Sequence, residues 1–165
     1  MAAWVDLPTF QAFAGSTDSN LQAAINFGCD LVDDRCGPTV ATTVTERVPG
    51  GSDILPLSYR AASLTSITIW RDGSVVDATQ YVVDGQLLYR KDFAYITTDL
   101  SVTYVAGAAT APSWATSAAQ IIGLHWWRSR LRPAQNDPQV PVGFLVPRQA
   151  QELMEPWLIA AGGMA

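Results

Sequence analysis

Apolar residues recur at helical spacing near both ends of the chain and at strand spacing between them. Asp6-Leu7-Pro8 reads as a helix start, with Asp6 as N-cap and proline tolerated in the first turn. Leu7, Phe10 and Phe13 then give a short apolar stripe that ends at Gly15. A second start at Thr17-Asp18 opens a longer helix, in which Leu21, Ala24, Ile25, Gly28, Leu31 and Val32 mark one face. Gly37-Pro38 stops it.

From Thr39 the pattern changes. Thr39 to Val48 is rich in threonine and valine and ends at Pro49-Gly50-Gly51, and Ile54 to Leu57 is a short extended piece. Leu64 to Trp70 alternates, then turns at Arg71-Asp72-Gly73 towards Val75-Val76. Tyr81-Val82-Val83 and Leu87-Leu88-Tyr89 flank a second hairpin signal at Asp84-Gly85, and Leu100 to Ala106 forms the last strand. Short strands at this spacing predict a small antiparallel sheet or barrel.

A helix returns over Ala111 to Leu131. It carries no acidic residue and has bulky groups on nearly every side. A helix that is apolar on most sides must be covered on most sides, and another copy of the chain is expected to supply part of that cover. Three arginines, Arg128, Arg130 and Arg132, suit its C-terminal end before Pro133. Trp126 and Trp127 point about 100° apart. One is expected in the core and one between subunits, because tryptophan and arginine are favoured interface anchors. The predicted subunit contact is Trp126, Trp127, Arg128 and Arg130. Beyond it, Pro138 to Pro147 is an extended apolar strip holding Val140, Val142, Phe144 and Leu145. Pro147 opens a last short helix with Leu153, Met154, Trp157 and Leu158 near one side. Exposed apolar strips mark partner sites, so Val140, Val142, Phe144, Leu145, Leu153 and Trp157 are the predicted docking residues, the alternative being that the tail folds back on its own body.

Composition narrows the function. Hydrophobic residues make up 48% and charged residues 15% of the chain, below the usual quarter or so, and there are six tryptophans. A net charge of −5 lacks the basic footprint of a nucleic-acid reader. No apolar run is long enough to span a bilayer, and the N-terminus shows no secretory signal. Cys29 and Cys36 lie about 10 Å apart if on one helix, too far to bridge. Reduced thiols fit a reducing cytoplasm.

Chemical motifs are sparse. The single histidine, His125, falls on a wheel with Trp114, Ala118, Ile121 and Ile122 and reads as a packed imidazole. No serine sits in a Gly-x-Ser-x-Gly elbow, and neither Gly50-Gly51 nor Gly162-Gly163 carries the residues of a phosphate loop. Asp33-Asp34 reads as a solvated edge. Two cysteines and one histidine make a poor metal site, so no metal, cofactor or catalytic residue is expected. Trp70, Tyr81, Tyr89, Phe93 and Tyr95 suggest either sheet packing or a platform for stacking on sugars.

Taken in order, these parts resemble the head-to-tail connector (adaptor or head-completion) proteins of tailed bacteriophages. The resemblance runs from Asp6 to Phe13, through Leu21 to Ile25 and up to Cys36-Gly37. It continues through Leu55-Pro56-Leu57, Leu64 to Ile69 and Tyr81 to Gly85. Its most specific piece is the strand Val102 to Gly107, then Pro112, then Ile121 to Arg130 with its aromatic-aromatic-x-x-Arg ending. The tail after Pro133 is longer than in the commoner pattern. The resemblance implies an α+β structural protein rather than an enzyme. Residues 1–36 and 112–132 would form a helical bundle, with a β domain inserted at 37–111 and an extended tail with a short helix over 133–165. It also implies a homo-oligomeric ring of roughly twelve copies, made in the bacterial host cytoplasm and sited in the virion neck. The ring would bind the portal protein on one side and a stopper or tail-completion protein on the other, with genomic DNA passing through unbound. The alternative is a carbohydrate- or receptor-binding β module with a helical anchor, and a small hydrolase ranks third.

Overall fold

The computed structural model describes residues 4–131 and 145–158, of which the side chains of Arg130 and Leu131 are not described. The chain is α+β. Its length alone suggests one core, but its contacts divide it into two compact units, one of Met1–Cys36 with Ala111–Ala165 and one of Gly37–Thr110. Each has its own hydrophobic cluster.

In the helical unit, α1 (Leu7–Ala14) starts where Asp6 accepts a hydrogen bond from the Thr9 backbone N–H at 3.0 Å, and ends at Gly15 in the left-handed region. Helix α2 (Leu21–Cys36) begins a turn later than its predicted start, because Asp18 closes a turn by accepting from the Asn20 N–H at 2.7 Å. It buries Leu21, Ala24, Ile25, Gly28, Cys29 and Val32, the predicted face with Leu31 at its margin. Helix α3 (Ser113–Trp126) runs into a π-helical turn at Trp127–Leu131. A Cβ placed on Gly28 would lie 2.3 Å from the Ala119 carbonyl oxygen, and one on Gly123 would lie 2.8 Å from that of Ala24. The two backbones approach so closely only because these residues are glycines, and Ala115, Ala118 and Ala119 keep the contact flat. The pairing of 28 with 119 and of 24 with 123 makes α2 and α3 antiparallel. Helix α4 (Arg148–Met154) continues into a 3-10 turn at Glu155–Trp157.

The β unit holds β1 (Thr42–Val48), β2 (Ile54–Pro56), β3 (Ala61–Ile69), β4 (Val75–Val76), β5 (Tyr81–Asp84), β6 (Leu87–Arg90) and β7 (Leu100–Ala106). They form a four-stranded sheet ordered β1-β7-β3-β4 and a three-stranded sheet ordered β2-β6-β5. Alternate residues of β7 are buried along its whole length, as a strand covered on one face requires. Leu55 and Leu88 from the small sheet join Ile67, Leu100, Val102 and Tyr104 from the large one in a single cluster. The alternation expected in β3 is broken by register shifts at Ala61/Ser63 and Leu64/Ser66. Pro56 is tolerated because β2 is an edge strand.

Candidate interaction surfaces

The end of α3 carries the predicted subunit contact, and the structure redistributes it. Trp127 is only 7% exposed and belongs to the helical core, which corrects its expected place between subunits. Trp126 is half-buried and stacks on Phe27 of α2, with ring centroids 4.8 Å apart and planes at 18°. Both indoles therefore find cover within the unit, where α3 gives way to the π turn and Ser129 donates back to the Trp126 carbonyl at 3.2 Å. Arg128 remains on the surface, while the Arg130 side chain lies outside the description. His125, expected to be packed, is exposed. It lies three turns beyond Trp114, the part of this stripe on which the C-terminal segment packs.

The predicted docking residues divide as well. Val140, Val142 and Phe144 lie outside the described residues, and Leu145 is 76% exposed. Leu153 and Trp157 pack on the chain's own helical unit, with Trp157 still 40% exposed. Trp157 stacks on Trp114 at 5.2 Å with planes 2° apart, and Val146, Ala150 and Met154 are buried. The physical reason is the apolar girth of α3. α2 covers one side, and the C-terminal segment covers another at the helix start.

Cys29 and Cys36 are free thiols on α2. The Cys36 thiol donates to the Met154 carbonyl at 3.9 Å, and burial pushes its pKa up to about 11. Cys29 is raised for the same reason. Asp33 is half-buried rather than a simple solvated edge, and accepts from the Trp4 indole N–H at 3.1 Å.

At one end of the large sheet, Asp99 accepts from the Arg47 Nε at 3.0 Å, from a terminal guanidinium nitrogen of Arg47, and from the Gly50 backbone N–H at 3.0 Å. The Arg47 hydrogen bonds, then that of Gly50, hold the Asp99 carboxyl below the usual range. The Arg47 guanidinium also lies 5.4 Å from the centroid of the Trp70 ring, which is half exposed. With Arg71 and Asp72 they line an open recess of about 630 Å³. Nearby on the same loop, the Tyr95 hydroxyl donates to the Gly51 carbonyl. On the inner face of the sheet, Tyr104 donates to Glu46 at 2.7 Å and accepts from the Tyr59 N–H at 3.2 Å. Burial, and then the Glu46 hydrogen bond, raise its pKa.

The five candidate stacking aromatics do not share a platform. Tyr81 packs towards the β core, while Tyr89 projects from the opposite face, since it pairs with Val82. Tyr89 stacks on Phe93 at 5.5 Å. Phe93 is 65% exposed with φ 53°, a left-handed backbone for which the sequence carried no signal. The Arg47–Trp70 stack was equally unforeseen. Among the described residues no group of three or more histidine, cysteine, aspartate or glutamate side chains is placed to hold a metal, and no helix is long and apolar enough to cross a membrane.

No family model matches the chain, and no curated protein matches its sequence. A solved structure does match its fold. The chain is similar to one in a structure described as the virion of a native gene transfer agent particle, with a TM-score of 0.69. The likeness covers 99% of this chain and 94% of the other at 13% identity, so what it shows is a shared fold.

Proposed function

We propose that this chain is a structural subunit of a phage-like particle. It would form a ring of roughly twelve copies under the portal, join the DNA-filled head to the tail and let DNA pass without specific binding. The observation that carries this reading is the fold likeness to a chain of a gene transfer agent virion, which spans nearly the whole of both chains. The order of motifs that resembles head-to-tail connectors supports it independently, and so does a net charge of −5, since a cationic lumen would hold the duplex. The reading includes no catalysis. The surface reserved for contacts between copies shifts from Trp127 to the exposed Arg128 and the rim of the Phe27–Trp126 stack.

Quantitative mass spectrometry of purified particles tests the proposal. It expects several copies per particle, and DNA-filled heads without tails when the gene is deleted. Absence of the protein from particles whose heads and tails still join would overturn it. The exposure of Trp70, Phe93 and Tyr95 favours a surface-binding β module as the second reading. That reading gains if Trp70→Ala abolishes host attachment in particles that still join normally.

A further inference from the structure

Three stretches of the β unit converge on the recess beside Trp70: the end of β1 with the turn after it, the turn after β3, and the residues that lead into β7. Backbone contacts fix all three. The Trp70 backbone N–H donates to the Asp99 carbonyl at 2.9 Å, and the Ile69 N–H donates to the Ser74 carbonyl at 2.8 Å. A Cβ on Gly50 would lie 2.6 Å from the Thr98 backbone, so glycine is what lets that loop close onto Asp99. The indole of Trp70 is held as well. The Arg47 guanidinium lies over its ring, and Asp99 binds that guanidinium through two nitrogens. The groups left unused face the same recess. Trp70 is 51% exposed. Among the described residues, the Arg71 guanidinium, the Thr98 hydroxyl and the Trp70 indole N–H make no hydrogen bond. Asp72 engages one carboxylate oxygen, with the Ser74 N–H at 2.9 Å.

We propose that this recess binds a neutral saccharide, with one sugar ring stacked on the exposed part of the Trp70 indole and its hydroxyls on Arg71, Asp72 and Thr98. The charges of the lining support the ligand class. Arg47 and Arg71 balance Asp72 and Asp99, so the recess as a whole selects neither an anion nor a cation. A nucleic acid would bring its phosphates to Asp72 on a chain of net charge −5, with Arg47 already paired. A sugar ring instead offers an apolar C–H face to the indole. Its hydroxyls both donate and accept, which suits a guanidinium beside a carboxylate. The volume of about 630 Å³ lies within the roughly 300–1,000 Å³ of small-molecule sites, which pair aromatic surface with a few fixed polar groups. Because the recess is open, it suits a unit within a longer saccharide. Binding is favoured by the order already present, since the indole and its turn are fixed before a ligand arrives. The site gives the second reading above a ligand and does not depend on the ring.

The purified full chain is titrated with neutral hexasaccharides of glucose, mannose and N-acetylglucosamine, and with a hexasaccharide of galacturonic acid, by calorimetry and tryptophan fluorescence. At least one neutral hexasaccharide is expected to bind in the millimolar range or tighter, and galacturonate more weakly. Trp70→Ala should weaken that binding roughly tenfold or more, and Arg71→Ala by roughly tenfold. Trp70→Phe keeps a ring for Arg47 to cover and should retain part of the affinity, which separates loss of the site from loss of the fold. Four results would overturn the site: no neutral hexasaccharide bound at millimolar concentration, binding unchanged by Trp70→Ala or by Arg71→Ala, no affinity retained by a folded Trp70→Phe variant, or galacturonate bound more tightly than any neutral ligand. Particles that fail to join head to tail with Trp70→Ala, from a protein that binds no saccharide, would make the recess a protein contact instead. Each of these results leaves the assembly reading standing.

Discussion

At the scale of single residues, the largest revision concerns Trp127. An indole that is 7% exposed supports the fold before it can support an assembly. Trp127→Ala is therefore expected to destabilise the protein by about 3–5 kcal/mol, read as a lower midpoint in urea denaturation. A midpoint like that of the parent would return the residue to the interface. Asp99 shows a different economy. Its carboxyl is held low by Arg47 and then by Gly50, so its contribution to stability is present above the unfolded carboxyl pKa, about 3.9, and is lost as pH falls through the lower folded value. Asp99→Asn should be less stable than the parent at pH 7, by a difference that narrows below about pH 4. A difference that stays constant from pH 7 to pH 3 would show that the charge is not involved. Phe93 holds a left-handed backbone that suits glycine better. Its N–H bond to the Arg90 carbonyl at 2.9 Å and its stack on Tyr89 fix the turn.

At the scale of elements, the helical unit depends on how near α2 and α3 can come. Gly28→Ala would gain roughly 1 kcal/mol of helix propensity. It would also push a methyl to 2.3 Å from the Ala119 carbonyl, a backbone atom that cannot turn aside. Overpacking of this kind costs about 1–3 kcal/mol or more. The expected result is net destabilisation in denaturant melts. A more stable variant would mean that the helices separate easily. The same geometry explains why α3 carries small residues where it crosses α2 most closely. Ala119 and Gly123 meet α2 at the closest approach, while Trp114 is covered by Trp157 beyond α4.

At the scale of the whole molecule, two cores replace the one that length suggests. Residues 37–110 close on themselves because strands far apart in sequence meet, as Thr45 and Thr103, 58 positions apart, do through their hydroxyls at 2.9 Å. The helical unit is assembled from the two ends of the chain, so neither end can complete it alone. The fold likeness spans both units rather than one. Trp127 is buried and Trp126 half-buried within the helical unit, so under the proposed assembly the exposed Arg128 of the π turn is the surface left for contact between copies.

The sequence by itself determined what depends on neighbours along the chain. The Asp6 cap, the Gly15 and Gly37 stops, the apolar face of α2, the hairpin turns after Ile69 and Asp84, and the bounds of β7 were all legible. These rest on local backbone preference and on hydrophobic period, which a short window contains. Tertiary structure decided whatever depends on the element lying opposite. The apolar excess of α3 was plain in the sequence, but whether a second chain or a distant part of the same chain covers it was not. The burial of Trp127, the exposure of His125 and the seating of Trp157 on Trp114 follow from where α2 and the C-terminal segment come to lie. The Arg47–Asp99–Trp70 cluster joins β1 to the residues that follow β3 and precede β7, far apart in sequence, so no local pattern announces it. A helical wheel gives the direction of a side chain, but packing decides what stands there to meet it.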